Sequence, residues 1–173
     1  MRQVQLLVLT LITAAFAQTL PEPDTNDVFY AVQDTLVPLE HQQAAWGNKG
    51  SGFAGLKKSI SEIPGGRSPV RFKSTARLEF VVKSALATSA ADPNTLYSLR
   101  RLDTKKNKRE MLLMTASPAG ASAKNGLSEG IVHVDFSKYG ASSYKLAVGP
   151  LNPGEYALGR ATLPQKVFCF GVD

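Results

Sequence analysis

Cysteine is almost absent from this chain. Cys169 is the single one in 173 residues, so no disulfide can form within the chain and its stability has to come from a packed core. Charged residues are 20% and aromatics 8% of the total, against 43% hydrophobic residues. That balance excludes a disordered or fibrous chain. Only two histidines are present. H-E-x-x-H, C-x-x-C and G-x-S-x-G are all missing, so the common zinc-protease, redox and hydrolase signatures do not apply. No apolar run approaches the roughly 20 residues that a spanning helix needs. No long amphipathic helical pattern separates the apolar segments either, which argues against a parallel α/β sheet.

What is there begins with an address. Arg2 opens residues 1–17, an apolar run from Leu6 to Ile12 follows, and Ala15-Phe16-Ala17 has the small-x-small pattern that a signal peptidase cuts. We read 1–17 as a secretory signal cleaved after Ala17. No cysteine follows the cut, so a lipoprotein is not expected, nor is a transmembrane anchor in the mature form. The expected location is secreted or periplasmic. One basic residue leaves with the signal, taking the formal charge from +6 to +5. Residues 18–27, with Pro21 and Pro23, read as a flexible lead, and 28–173 has the length of one domain.

Within 28–173 the apolar segments are short and punctuated by Gly, Pro, Asn and Asp. Strands are expected over 28–32, 36–39, 70–73, 76–83, 142–148, 155–158 and 166–172, and a hairpin over 96–114 that turns at Asp103 to Lys108. Ile131 to Phe136 reads as one strand with Val132, Val134 and Phe136 facing inward. From Glu40 to Ser68 the periodicity fades, and a short helix and an irregular strand fit equally well. Trp46 then sits in a Gly-rich loop. Cys169 lies in an apolar run, where cysteine behaves as a small buried hydrophobe. The whole pattern predicts an all-β, antiparallel sandwich.

One motif sharpens this. Leu151-Asn152-Pro153-Gly154-Glu155-Tyr156 places Leu151, Pro153, Gly154 and Tyr156 in the spacing L-x-P-G-x-Y, one strand before the C-terminal strand. It resembles the start of the penultimate strand in immunoglobulin-like and fibronectin type III-like domains. There Pro-Gly makes the turn and the Tyr hydroxyl bonds back to nearby backbone, the tyrosine corner. The resemblance implies an immunoglobulin-like sandwich and no particular function.

Several constellations carry potential chemistry. Gly50 to Gly55 matches G-x-G-x-x-G, but outside a βαβ unit the spacing does not imply a nucleotide. Ser142 and Lys145 have S-x-x-K spacing, which needs a helix where the pattern indicates a strand. His133 and Asp135 share a strand face and would need a third ligand, such as His41 or Glu40, to hold a metal. Arg100, Arg101, Lys105, Lys106, Lys108 and Arg109 are the densest positive charge, suited to an acidic patch or anionic envelope surface, or to guarding a sheet edge. Trp46 and Phe53 are candidate contact residues for a sugar or a protein.

The resulting expectation is an exported, non-enzymatic β-sandwich that binds envelope proteins or an anionic envelope surface, with no cofactor and no nucleic acid. The alternatives are a secreted metal-dependent hydrolase on the His133/Asp135 face and a structural component of an envelope assembly. The address is directly checkable: intact-mass analysis of the exported protein should give a chain beginning at Gln18, and a mass retaining residues 1–17 would refute the cleavage.

Overall fold

A computed structural model describes residues 20–51, 56–87, 89, 91–116, 124–125, 130–162 and 165–173. The signal segment 1–17 and Phe53 lie outside the described residues. The fold is all-β. β1 (Phe29–Val32) and β2 (Leu36–Pro38) make an opening hairpin, and β3 (Glu40–Gln43) and β4 (Ala45–Ser51) are separated by Ala44 alone. β5 (Leu56–Pro64), β6 (Arg71–Phe72) and β7 (Leu78–Lys83) follow, then a single helical turn α1 (Pro93–Leu96). β8 (Tyr97–Lys105) and β9 (Lys108–Ala116) form the next hairpin. β10 (Lys124–Asn125), β11 (Ile131–Val132), β12 (Asp135–Tyr139), β13 (Ser143–Val148), β14 (Gly154–Arg160) and β15 (Lys166–Val172) complete the chain.

Two sheets result. The first has the order β12-β13-β7-β1-β2; the second runs β3-β15-β14-β8-β9-β5-β4, with β6 parallel to β15, β11 beside β8 and β10 beside β9. The strands β1-β7-β13-β12 facing β8-β14-β15 reproduce the two-sheet pairing of an immunoglobulin-like sandwich, with β14 as its penultimate strand. Tyr156 on β14 donates its hydroxyl to the Asn152 carbonyl at 2.7 Å, so the tyrosine corner is formed. Such a bond is worth about 1 kcal/mol.

The sandwich core explains where the few aromatics go. Phe29, Phe80, Tyr144 and Leu146 of the first sheet pack on Leu99, Tyr156, Phe168 and Phe170 of the second. Phe170 touches Phe80 at 5.0 Å and Tyr156 at 5.5 Å between ring centroids. Each such ring contributes roughly 1.5–3 kcal/mol by burial.

β15 is apolar after Lys166 because both its faces are covered: Phe168, Phe170 and Val172 meet the first sheet, while Val167 and Cys169 turn to a second cluster with Ala44, Ile63, Leu102, Met111, Leu113 and Ala157. This second cluster exists because the longer sheet curls. Its terminal strands, β3 and β4, are joined by one residue, so the sheet must fold back on itself and enclose a barrel-like lumen. β4, β5 and β9 form the outer wall of that lumen and β15, β14 and β8 the inner one.

Two expectations change and one open choice is decided. Of the helix and the strand that fit 40–68, the strand is found: residues 40–43, 45–51 and 56–64 form β3, β4 and β5, where β3 pairs with β15 and β5 with β9, both far away in sequence. Trp46 therefore stands on strand β4 and not in a Gly-rich loop. The strand expected over 131–136 is broken: β11 pairs with β8 in one sheet and β12 with β13 in the other, the chain crossing at His133-Val134. Its alternation nonetheless holds, with Val132, Val134 and Phe136 against the sandwich core. The 96–114 hairpin is present with a tighter turn at Lys106-Asn107.

From Leu20 onward the lead is tied to the sandwich. The Glu22 carboxylate accepts from Ser143 Oγ (2.7 Å), Ala141 N–H (2.6 Å), Ser142 Oγ (2.8 Å) and Ser142 N–H (2.9 Å). Gly140 has φ +63°, and a Cβ there would collide with that carboxylate. The Ser143 bond, then those from Ala141 and Ser142, hold Glu22 at a pKa of about 2. Because the native value lies below the ordinary carboxylate value of 4.5, the carboxylate's contribution is complete above 4.5 and is lost as pH falls toward 2. Urea unfolding of Glu22→Gln against wild type should show a gap that is full at pH 6 and narrows between about pH 4.5 and 2. A gap independent of pH would refute this anchoring.

Candidate functional site

The lumen between the two walls differs along its length. Glu40, Gln42, Ala44, Trp46 and Asn48 lie two apart along β3 and β4 and so share the lumen side, as the burial of Ala44 with Ile63 and Cys169 confirms. Opposite them on β8 stand Ser98, Arg100 and Leu102, and on β9 Arg109, Met111 and Leu113.

At the closed end Arg109, 0% exposed, donates two bonds to Glu40 (2.8 and 2.9 Å) and two more to the Gly65 and Pro64 carbonyls. Glu155 lies 3.6 Å away from the same guanidinium. Glu155 also accepts from Ser68 N–H at 2.8 Å and from Arg71 at 2.6 Å, and Arg71 reaches Asp173. Burial works against the Glu40 carboxylate, but bonds from Arg109, Ser68 and Gln42 outweigh it and hold its pKa below the usual value. Cys169 sits beside this cluster, and burial pushes its thiol up to about 12. A thiol so protonated is not a nucleophile at neutral pH. Every charge here has a partner, so the cluster plugs one end of the lumen.

The middle is filled by the apolar cluster. Beyond it no described residue covers the wall of β4, β5 and β9. Cross-strand register sets Trp46 opposite Ser61, Asn48 opposite Ser59, Gly50 opposite Lys57, and Ser59 opposite Met114, after a bulge between Ser59 and Ile60. Trp46, Asn48, Lys57, Ser59 and Met114 thereby share one face. Trp46 is 57% and Met114 42% exposed, and Ser59 donates to Asn48 Oδ1 at 3.1 Å. Across the opening Arg100 is 2% exposed and gives its Nε to Ser98 Oγ at 3.2 Å; burial lowers its pKa. A cleft of about 430 Å³ adjoins, lined by Ser98, Arg100, Ile131 and His133 among others.

The basic run is not gathered into one patch. Arg100 and Arg109 point into the lumen. Arg101 faces the other way and bonds the Pro153 carbonyl at 3.0 Å. Lys108 is bound to Glu62 and lies 3.4 Å from Glu110, which also takes Lys49, on the outer surface. That leaves Lys105 and Lys106 exposed at the hairpin turn.

His133 Nε2 and Asp135 Oδ1 approach to 3.2 Å on the surface. His41 instead stacks on Phe168 at 5.3 Å, and Glu40 is taken by Arg109. Among the described residues no three His, Cys, Asp or Glu side chains group as a metal would require. Ser142 and Lys145 are equally separate: Ser142, in the turn before β13, bonds Glu22, and Lys145, on β13, bonds Glu79 at 3.4 Å.

Asn48, Lys57, Ser59 and Met114 were not visible as site residues from sequence. The one available signal was the alternation Ala44, Trp46, Asn48, masked by neighbouring Gly and Lys. No protein-family model matches this chain, and no curated protein matches it in sequence.

The plug at the closed end is testable through its charge pairing. Glu40→Ala should cost about 3–5 kcal/mol in denaturant unfolding, since it strips a buried guanidinium of its main counter-charge. Replacing both partners, Glu40→Leu with Arg109→Met, should recover most of that loss; equal losses in the two variants would refute the pairing as its cause.

Proposed function

We propose that this protein is an exported, non-enzymatic binding module whose partner seats on the open lumen face of β4, β5 and β9. The observation that supports this most is Trp46. A tryptophan 57% exposed on a regular strand sits where hydrophobic burial would normally claim it. Ala44 and Glu40, two and six residues back, face the same lumen from inside the packed region. The strand thus carries one continuous side from a sealed ion cluster, through an apolar filling, to an aromatic presented to solvent. Exposed aromatics with polar surroundings are favoured as contact residues, because one rigid ring brings large contact area with little entropy to lose.

The basic hairpin contributes less to this reading than its charge count suggests, since its arginines at 100 and 109 are buried. The anionic-surface version then rests on Lys105 and Lys106.

A photo-crosslinking residue placed at Asn48 should capture a defined adduct in the native envelope. The same residue at Lys73, an exposed position away from β4, should not, and adding Trp46→Ala should abolish the Asn48 adduct. Equal labelling from both positions, or none from Asn48, would overturn the proposal.

A further inference from the structure

The chemistry around Trp46 names a ligand class, and this step rests on the binding-face reading above. A face that docks protein buries an apolar centre within a polar rim. Here the order is different: the ring's neighbours along β4 and on β5 are Asn48, Ser61 and Ser59, with the exposed Met114 beyond them on β9. Along β4 the next residue on the face is Asn48, an amide whose oxygen already accepts from Ser59 Oγ, leaving the amide N–H₂ to donate outward. One step further, opposite Gly50, stands Lys57, which is exposed and whose ammonium meets no carboxylate among the described residues. Gly50 has no side chain to obstruct the face, and nothing lies within 4 Å of where its Cβ would be. From Trp46 to Gly50 the strand rises about 13 Å. The face thus offers a flat aromatic surface, then hydroxyl and amide groups, then a cation, in a line along an unobstructed strand.

Sugars have the complementary make-up. The C–H face of a pyranose ring packs on an indole, and its hydroxyls pair with amides and hydroxyls. A carboxylate on a neighbouring unit pairs with an ammonium. The formal charge of +6 adds a field of the same sense. We infer that the open face of β4, β5 and β9 binds an acidic oligosaccharide, with Trp46 stacking on one ring, Asn48 and Ser59 bonding its hydroxyls, and Lys57 holding a uronate carboxylate of the same chain.

Trp46 is the only tryptophan, so its emission reports directly on this face. The probes are tetrasaccharides of galacturonate, of alginate and of hyaluronan, with maltotetraose as the neutral control. At least one acidic probe should shift Trp46 emission saturably and maltotetraose should not. By calorimetry, Trp46→Ala should weaken that binding about tenfold or more and Trp46→Tyr by less. Lys57→Glu should weaken it and flatten its dependence on salt. Because Trp46 and Lys57 are exposed, unfolding midpoints near wild type would show that the variants are folded, and the two substitutions act through different contacts. Failure of all three acidic probes, equal binding of maltotetraose, or indifference to both Trp46→Ala and Lys57→Glu would overturn the inference. A protein adduct at Asn48 would overturn it while leaving the binding face intact; no adduct there would remove the binding face itself.

Discussion

Ala44 is the hinge on which the architecture turns. A sheet whose terminal strands are separated by a single residue cannot lie flat, because β3 pairs with β15 at one edge and β4 with β5 at the other. The chain meets that constraint by curling the sheet into a barrel-like second layer on the back of an immunoglobulin-like sandwich. Everything that distinguishes this molecule from the bare sandwich follows from it. The second apolar cluster, the ion-paired plug and the open face all lie on the lumen side that the curl creates.

The plug also shows how unlike charges are accommodated in such a space. A guanidinium removed from water is tolerated only when hydrogen bonds and counter-charges meet it from several sides. Arg109 gains this from Glu40, Glu155 and the adjacent carbonyls of Pro64 and Gly65, which come from three separate stretches of chain. The cluster therefore joins β3, β9, β14 and the turn after β5, and it closes the end of the barrel where those segments converge. Among the described residues the opposite end has no such convergence, and Trp46 is exposed there.

Local patterns revealed the sandwich well. β15 was legible as an apolar run, β1 and β2 as a hairpin, and the tyrosine corner as a six-residue motif, because each depends on neighbours in sequence. The stretch from Glu40 to Pro64 was not. Its strands carry Gly47, Gly50, Lys57 and Lys58, residues with little strand preference, and they hold their shape through pairing with β9 and β15. Ile131 to Phe136 was legible in its alternation and not in its break, since a strand that changes sheet keeps its period of two.

The basic run makes the same division clear at the candidate site. Sequence alone determined that Arg100, Arg101, Lys105, Lys106, Lys108 and Arg109 lie on a hairpin, and that a tryptophan precedes it among glycines. Only the tertiary structure decided that Arg109 meets Glu40, 69 residues away, that Arg100 faces inward, and that Trp46 shares a face with Lys57 and Met114. The reason is physical: alternation along a strand says which residues lie together on a face, but which face meets a core and which meets water is set by the strand's partners, and here those partners come from distant parts of the chain.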